Sequence, residues 1–309
     1  MQIIIYLVYL IASILFIFGI KRLSSPKTAR QGNMLSSLGM FLAIVITLFD
    51  QQILTYEYII IGVVVGSAIG AFMALKVEMT GMPQMVGVLN GFGGGASALV
   101  ALSEYYKGGT SDIAILVTLV LSVLIGAVTF TGSFIAFGKL QGFVTGKVVK
   151  YPLQNPINVL LLLAVIAAGV VFVIDPSRVD ILMGILSVSL LLGVLLVLPI
   201  GGADMPVAIS LLNSYSGLAA SMTGFVLQNN LLIIAGALVG ASGIILTIIM
   251  CKGMNRSLMN VVLGGWENAG AASSEAGTGP QGDAKSVDAE EAAMIFDSAQ
   301  NVVIIPGYG

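Results

Sequence analysis

Uncharged apolar runs of about 20 residues recur along the whole chain. A helix rises about 1.5 Å per residue, so a run of about 20 residues crosses the ~30 Å hydrocarbon core of a bilayer. Nine such runs are present, at residues 3–20, 34–49, 57–75, 82–102, 113–138, 157–174, 181–200, 204–227 and 231–251. The pattern predicts an all-α polytopic membrane protein with nine transmembrane helices.

The composition agrees with a membrane protein, since 57% of the 309 residues are hydrophobic and 9% are charged. Soluble domains carry about 25% charged residues. A net charge of -2 is too balanced for a nucleic-acid-binding surface. The chain contains no His and a single Cys, Cys251. This excludes an imidazole proton shuttle, a His metal site and an internal disulfide, so we expect no metal site.

The distribution of Lys and Arg predicts the orientation. Cytoplasmic loops are enriched in these residues. With nine spans and the N-terminus outside, only Lys107 and Arg178 fall in outer loops. The inner loops then hold Lys21, Arg22, Lys27, Arg30, Lys76, Lys139, Lys147, Lys150, Lys252 and Arg256. We therefore expect the N-terminus outside and the C-terminus in the cytoplasm. No basic residue precedes the first run, which indicates an uncleaved span rather than a signal peptide.

The chain also matches itself when shifted by 123 positions. The shift aligns Met82-Pro83 with Met205-Pro206, Leu89-Asn90 with Leu212-Asn213, Gly70 with Gly193, and Gly94 with Gly217. Both copies begin at the predicted inner face, so the repeat is parallel. A weaker match further on, Gly126-Ala127 with Gly240-Ala241, requires a shorter loop in the second copy.

Three polar residues are predicted to lie at one depth. Asn90 and Asn213 lie seven residues into their helices, and Ser133 lies six residues before Lys139. At about 1.5 Å per residue, each is roughly 10 Å from the inner face. A shared level in three helices is what a hydrated path requires. The alternative is that these side chains only join helices by hydrogen bonds, and both interpretations stay open at this point.

Acidic residues are absent from the centres of the predicted spans. Glu78 and Asp204 instead lie at the inner ends of the two repeat helices. Asp204 is placed at the positive N-terminal end of its helix. If protons cross this protein, we expect them to move through water and amides, with acidic residues gating the inner mouth.

The composition changes after residue 258, which gives a predicted transmembrane domain at 1–258 and a flexible acidic linker at 259–300. Within the linker, residues 289–299 are predicted to form a short amphipathic helix. Residues 301–305 then have the pattern of a buried strand, followed by Gly307 and Gly309. A strand leading into Gly-x-Gly begins a dinucleotide-binding fold. Taken alone, this signal is weak, and a frayed tail is the default interpretation of these few residues.

Several motifs together resemble the β subunit of proton-translocating NAD(P) transhydrogenase. The resemblance extends over essentially the whole chain. It is carried by residues 77–83 (VEMTGMP), 126–133 (GAVTFTGS), 204–207 (DMPV), 212–217 (LNSYSG), 251–257 (CKGMNRS) and 303–309 (VIIPGYG). The last of these resembles the first strand and the glycine fingerprint of the family's NADP-binding domain, so the tail is interpreted as the beginning of that domain.

The resemblance implies a bacterial inner-membrane protein that couples inward proton translocation to hydride transfer from NADH to NADP+. It implies a partner α subunit that brings the NADH domain and further membrane helices, and a symmetric dimer of the assembly. NADP would be bound by a domain that follows Gly309, and NAD by the partner. The 309 residues alone are therefore expected to bind neither nucleotide and to be catalytically incompetent.

The resemblance also implies roles for individual residues. Family residues that match Asn90, Ser133, Asp204 and Asn213 belong to the proton path. Glu78 and Arg256 are expected to act as gating or coupling residues, Gly236, Gly240 and Gly243 to act in coupling, and Gly307 and Gly309 to form an incomplete NADP fingerprint. Some relatives carry His where this chain has Asn90. Asn90 can orient water but cannot carry a proton as an imidazole does.

Two other classes of function remain open from the sequence. One is a secondary transporter or channel built on the parallel repeat, with the tail as a disordered appendage. The other is a purely structural membrane subunit. The second predicts that Asn90 and Asn213 can be replaced by Ala without loss of proton flux.

Overall fold

The computed structural model describes residues 2–50, 56–108, 112–255, 257, 258, 261, 288–299, 302 and 303. Over these residues the secondary structure is entirely helical. The chain divides into two compact units, residues 1–264 and 265–309. The second unit contains one helix among its described residues, α10 (Ala289–Ser298), which confirms the helix predicted for 289–299. Of the predicted strand at 301–305, Val302 and Val303 are described and have no regular secondary structure. The other three residues and both tail glycines, Gly307 and Gly309, lie outside the described residues.

The described part of the first unit contains nine long helices. They are α1 (Gln2–Leu23), α2 (Pro26–Asp50), α3 (Glu57–Lys76), α4 (Met82–Tyr106), α5 (Ile113–Gln141), α6 (Gln154–Ile174), α7 (Val179–Val197), α8 (Met205–Val226) and α9 (Asn230–Gly253). Two single-turn 3-10 helices, Met79–Gly81 and Gly202–Asp204, directly precede α4 and α8. Each predicted apolar run therefore corresponds to one helix.

Eight of the helices in the described residues are long and apolar enough to cross a membrane. The exception is α8. It is long enough, at 22 residues, but its Ser, Thr and Asn residues make it less apolar than the other eight helices. Much of α8 is buried against other helices, so its polar residues need not face lipid. The all-helical, polytopic class is thus confirmed, and α8 as a ninth span stays a prediction.

Helix α5 is the centre of the bundle, because it packs against α4, α6, α7 and α8. Three pairs of consecutive helices also pack closely, α1 with α2, α4 with α5, and α8 with α9. One apolar cluster joins α5, α6 and α7 around the fully buried residues Leu119, Phe172 and Leu182. A second cluster surrounds the first turn of α8, where Met205 and Val207 are fully buried.

The internal repeat appears as two matching helix contacts. A Cβ added to Gly94 in α4 would lie 2.9 Å from the carbonyl oxygen of Gly126 in α5. A Cβ added to Gly217 in α8 would lie 2.7 Å from the Cα of Gly240 in α9. Such close backbone approach leaves no room for a side chain. The weaker sequence match of Gly126 with Gly240 therefore marks an equivalent contact in the two copies.

Helix α3 differs from the other long helices, because none of its residues is buried. Gly62, Gly66 and Gly70 recur every four residues and form one stripe along α3. A Cβ added to any of the three would meet nothing within 4 Å. The stripe is thus open for its full length.

The repeat counterpart of α3 is α7, and α7 is packed. Gly193, which aligns with Gly70, lies against α5 so closely that a Cβ would be 2.9 Å from the Cα of Val128. The Thr131 hydroxyl of α5 donates a hydrogen bond to the Leu190 carbonyl of α7 at 2.7 Å. Helix α7, the first helix of the second repeat copy, thus packs on α5, which belongs to the first copy.

Candidate functional site

Asn90 connects three helices through its side-chain amide. Its Nδ2 donates to Ser133 Oγ in α5 at 2.9 Å, and its Oδ1 accepts from Ser216 Oγ in α8 at 2.7 Å. Ser133 is 1% exposed, whereas Asn90 is half-buried. The structure therefore brings together Asn90 and Ser133, as the shared depth predicts, and adds Ser216 to them. We call these three residues the amide cluster.

Ser216 has two acceptors for one proton. Its Oγ lies 2.7 Å from Asn90 Oδ1 and 2.8 Å from the backbone carbonyl oxygen of Asn213. A hydroxyl carries a single hydrogen and rotates to suit its partners, so it donates to one acceptor at a time. Rotation of this one bond switches the donor between a side chain of α4 and the backbone of α8.

Asn213 is close to the amide cluster but takes part differently from Asn90. Its backbone carbonyl accepts from Ser216, while its half-buried side chain makes no hydrogen bond with the described part of the chain. The two Asn residues align in sequence, yet only the Asn90 amide is fixed between helices. The cluster is therefore asymmetric with respect to the internal repeat.

A second polar cluster lies further along the same three helices. Ser122 Oγ of α5 and Thr223 Oγ1 of α8 are 2.6 Å apart, and both contact the carbonyl oxygen of Ser97 in α4 at 3.3 Å. Ser122 is 0% and Thr223 3% exposed. Because Ser97 follows Asn90 by seven residues on α4, this cluster is about 10 Å from the amide cluster along the helix. Two polar layers therefore cross the contact between α4, α5 and α8.

Between these layers α4 and α5 are in direct contact. A Cβ on Gly94 would lie 2.7 Å from the Cβ of Thr129 in α5, and Thr129 is 0% exposed. The Thr129 hydroxyl donates to the Ile125 carbonyl of its own helix at 2.7 Å. The contact of Gly94 with Thr129 therefore separates the two layers in this conformation.

The acidic residues lie at the beginnings of the two repeat helices, as predicted. Asp204 directly precedes α8 and is half-buried. Glu78 precedes the 3-10 turn before α4 and is exposed. Neither side chain caps the turn or helix that follows it. Arg256 lies outside the described residues.

Sequence reasoning did not identify Ser216, Thr223 or the environment of Lys139 as functional features. A signal for Ser216 exists, since it follows Asn213 by three residues and so shares its helix face. Thr223 and Lys139 carry no comparable signal, because their partners belong to distant segments. Lys139 is 4% exposed, and its Nζ donates to the Ile200 carbonyl at 2.7 Å.

The described residues contain no group of three or more His, Cys, Asp or Glu that could hold a metal ion. The predicted NADP fingerprint, Gly307 and Gly309, is outside the region that the structure describes. What the described geometry contains is a set of hydroxyl and amide groups buried between helices. The fold and this site define a polytopic helical membrane protein in which hydrogen-bonded polar side chains join three helices, α4, α5 and α8.

Comparison with known proteins specifies this class further. The family model described as NAD(P) transhydrogenase beta subunit matches residues 5–309. The chain belongs to this family, which confirms the resemblance found in its motifs. Two curated relatives from Rhodospirillum rubrum, both described as NAD(P) transhydrogenase subunit beta, are 45% identical over 309 residues. The match covers 97% of this chain and 66% of each relative, so the chain spans less than two thirds of their length.

Proposed function

We propose that this chain forms the proton-translocating membrane part of a transhydrogenase, in which inward proton flow is coupled to hydride transfer from NADH to NADP+. The observation that carries the proposal is the amide of Asn90, which bridges Ser133 and Ser216 from two other helices. A transhydrogenase whose hydride transfer is coupled to proton flow needs a membrane element that responds to protons. A hydrogen-bonded contact of three helices supplies one.

In this proposal the amide cluster orients water rather than storing a proton. An amide does not titrate near neutral pH, but it offers two donors and two acceptor sites. The Ser216 hydroxyl alternates between Asn90 and the Asn213 carbonyl, so it can release the Asn90 oxygen to a water molecule. Buried polar groups in membrane helices mark ion and proton pathways. The path then continues past Gly94 only when α4 and α5 separate slightly.

The inner mouth is assigned to the acidic residues and Arg256. Asp204 lies at the positive end of α8, where a carboxylate is favoured, and Glu78 lies one 3-10 turn before α4. We assign Asp204 and Glu78 to proton gating at the inner face. Arg256, four residues after the basic end of α9 at Lys252, is assigned to coupling toward the nucleotide-binding part.

We further propose that α8 is a ninth span, with the N-terminus outside and the C-terminus in the cytoplasm of a bacterial inner membrane. The ten-to-two division of Lys and Arg between the loops supports this orientation. Residues 259–300 would act as a linker, and 301–309 as the first strand and glycine loop of an NADP-binding domain. NAD would be bound by the α subunit, and the whole assembly would be a dimer.

The glycine stripe of α3, which no described residue covers, supports a membrane contact with the α subunit. In the second copy of the repeat, the first helix packs on α5 of the first copy through Gly193. The first copy has no copy before it among the described residues, and its matching residue, Gly70, meets nothing. We propose that a helix of the α subunit packs against Gly62, Gly66 and Gly70, in the manner in which α5 packs against Gly193.

The function is tested with the full-length subunit and its α partner reconstituted into sealed vesicles. We expect hydride transfer between NADH and an NADP analogue to change the internal pH, and an imposed pH gradient to change the rate of hydride transfer. Proton flux that is independent of both nucleotides would instead indicate a channel or transporter. Hydride transfer that neither moves protons nor responds to a gradient would contradict the proposal.

A further inference from the structure

Lys139 is a buried cation in the last turn of α5. It is 4% exposed, and its ammonium group donates to backbone carbonyls of Leu198, Ile200 and Lys147. The bond to Ile200 is 2.7 Å and the bond to Lys147 is 3.4 Å. An ammonium has three N–H donors, so all of them have acceptors. Burying a charge is unfavourable unless such partners are present. The three carbonyl oxygens are therefore needed where they are for Lys139 to be buried as a cation.

The carbonyls that Lys139 holds belong to the segment between α7 and α8. Leu198 and Ile200 follow directly after α7 ends at Val197. The chain then makes the 3-10 turn Gly202–Asp204 and enters α8. Residues 198–204, which we call the α8 leader, therefore carry Asp204 at their end.

The α8 leader has a second attachment to the same region of the protein. The Gly202 N–H donates to the Gly146 carbonyl at 2.8 Å, and Gly146 lies in the loop that follows α5. Lys147, the third acceptor for Lys139, is the next residue of that loop. The end of α5 and the loop after it thus hold the α8 leader at two places, the carbonyls of Leu198 and Ile200 and the N–H of Gly202.

We propose that Lys139 is a positioning residue for proton transfer, which fixes the α8 leader and so sets the place of Asp204 at the inner mouth. Lys139 follows Ser133 by six residues on α5, so one rigid helix carries both the amide cluster and the clamp on the leader. A displacement at the amide cluster that shifts α5 therefore also shifts the leader, and the reverse holds. This inference rests on the proposed function.

The proposal is tested in the complete complex, made of full-length subunit and α partner, with Lys139→Met. Methionine keeps most of the side-chain volume but removes the charge and the three donors. We expect the backbone amides of Gly202 and Asp204 to exchange with solvent deuterium at least tenfold faster. We also expect the number of protons moved per hydride to fall at least threefold, while NADP affinity is retained. Lys139→Arg, which keeps a cation with N–H donors, should restore most of the coupling.

The matched control is Lys150→Met, which removes an exposed lysine from the same inner loop. It should leave both amide exchange and proton coupling at wild-type values. A lysine that contributes only to overall stability would behave differently from Lys139, since its loss would lower the melting temperature and hydride transfer together, with protons per hydride unchanged.

A second pair of variants loosens the α8 leader without changing Lys139. Gly202→Pro removes the N–H that donates to Gly146, and proline suits the first position of a helical turn after the extended Gly201. Gly202→Ala keeps that N–H, and its Cβ would lie 3.4 Å from the Gly146 oxygen, an acceptable contact. Proline should reduce protons per hydride and alanine should not. If the Lys139→Met complex does not assemble, this pair of variants still tests whether proton coupling depends on holding the α8 leader in place.

The outcomes separate the inference from the function on which it rests. If the wild-type complex moves no protons, the proposed function fails, whatever the leader does. If the wild type is coupled but Lys139→Met leaves either the amide exchange of the leader or the protons per hydride unchanged, Lys139 is not a positioning residue. Equal coupling in the two Gly202 variants would overturn the role of the leader itself.

Discussion

Ser216 Oγ lies 2.7 Å from the side-chain oxygen of Asn90, although the two residues are 126 positions apart in the chain. The contact joins the two copies of the internal repeat, because Asn90 belongs to α4 and Ser216 to α8. It also breaks their equivalence, since the residue that aligns with Ser216 in the first copy is Gly93, which has no side chain. One hydroxyl thus gives a nearly symmetric pair of helices a directed side-chain connection that has no counterpart in the other copy.

Ser216→Ala should weaken proton coupling without unfolding the protein. The change removes a hydroxyl from between Asn90 and the Asn213 carbonyl, and a lost hydrogen bond of this kind costs about 1 kcal/mol. We expect coupled turnover of the complete complex to fall about tenfold, with NADP affinity unchanged, in a coupled vesicle assay.

The control for this change is Ser242→Ala in α9, where an exposed hydroxyl donates only to the Val239 carbonyl of its own helix. Turnover should stay at the wild-type value there. Equal turnover in both variants would show that the Ser216 hydroxyl is dispensable.

The two Asn residues should differ in importance, despite their alignment. Asn213→Leu leaves the backbone carbonyl that Ser216 contacts, and the Asn213 amide makes no hydrogen bond within the described part of the chain. We therefore expect Asn213→Leu to reduce coupled turnover by a smaller factor than Asn90→Leu, measured side by side. A larger loss at Asn213 would mean that its amide, rather than that of Asn90, holds the essential water.

Gly217→Ala should destabilise the bundle. Its Cβ would lie 2.7 Å from the Cα of Gly240 and 2.8 Å from the carbonyl oxygen of Gly236, so α8 and α9 must move apart. Overpacking of this kind costs about 1–3 kcal/mol, and we expect a lower melting temperature in detergent.

Gly184→Ala in α7 is the comparison, because a Cβ there meets nothing within 4 Å. Alanine is the better helix former by about 1 kcal/mol, so this variant should be unchanged or slightly more stable. Loss of stability at Gly184 but not at Gly217 would contradict the packing described for α8 and α9.

Cysteine labelling tests the orientation. In a background with Cys251 replaced by Ser, an impermeant maleimide added to intact cells should label Lys107→Cys and spare Lys150→Cys. Both positions are exposed, and the division of basic residues places them on opposite sides. Labelling of position 150 but not 107 in intact cells would mean that the chain has the opposite orientation in the membrane.

The stripe on α3 should be needed for assembly with the α subunit. Gly70→Leu fills the stripe with a large side chain, so we expect less α subunit to copurify. Ala68→Leu, on the opposite face of the same helix, adds a similar side chain away from the stripe and should copurify normally. Loss of assembly in both variants would indicate a general defect of α3 rather than a contact through its glycines.

The helices could be predicted from the sequence because burial in a bilayer imposes a simple rule on run length. The rule works less well at α8, whose polar residues are compatible with a membrane because α4, α5 and α9 cover them. The shared depth of Asn90 and Ser133 was also readable, since helix rise converts position into distance. That they are bonded to each other, and that Ser216 joins them, depends on how three helices rotate about their axes, which periodicity alone does not determine.

The burial of Lys139 is a part of the site that could not be predicted from the sequence. A lysine at the cytoplasmic end of a membrane helix is usually solvated, and the sequence indicates only its contribution to orientation. Its burial depends on Leu198 and Ile200, about 60 residues later. The glycines of the repeat were more informative, because aligned Gly94 and Gly217 both make close helix contacts.

In the proposed function, the Asn90 amide lies on the path of the protons that are coupled to hydride transfer. The most direct measurement is the number of protons entering sealed vesicles per hydride transferred, by the complete complex with Asn90→Leu and with Asn230→Leu. Asn230 is an exposed amide at the start of α9, so it controls for the chemical change. We expect Asn90→Leu to lower the number of protons per hydride at least tenfold while NADP binding persists, and Asn230→Leu to match the wild type. Wild-type proton coupling in Asn90→Leu would contradict this role of the Asn90 amide.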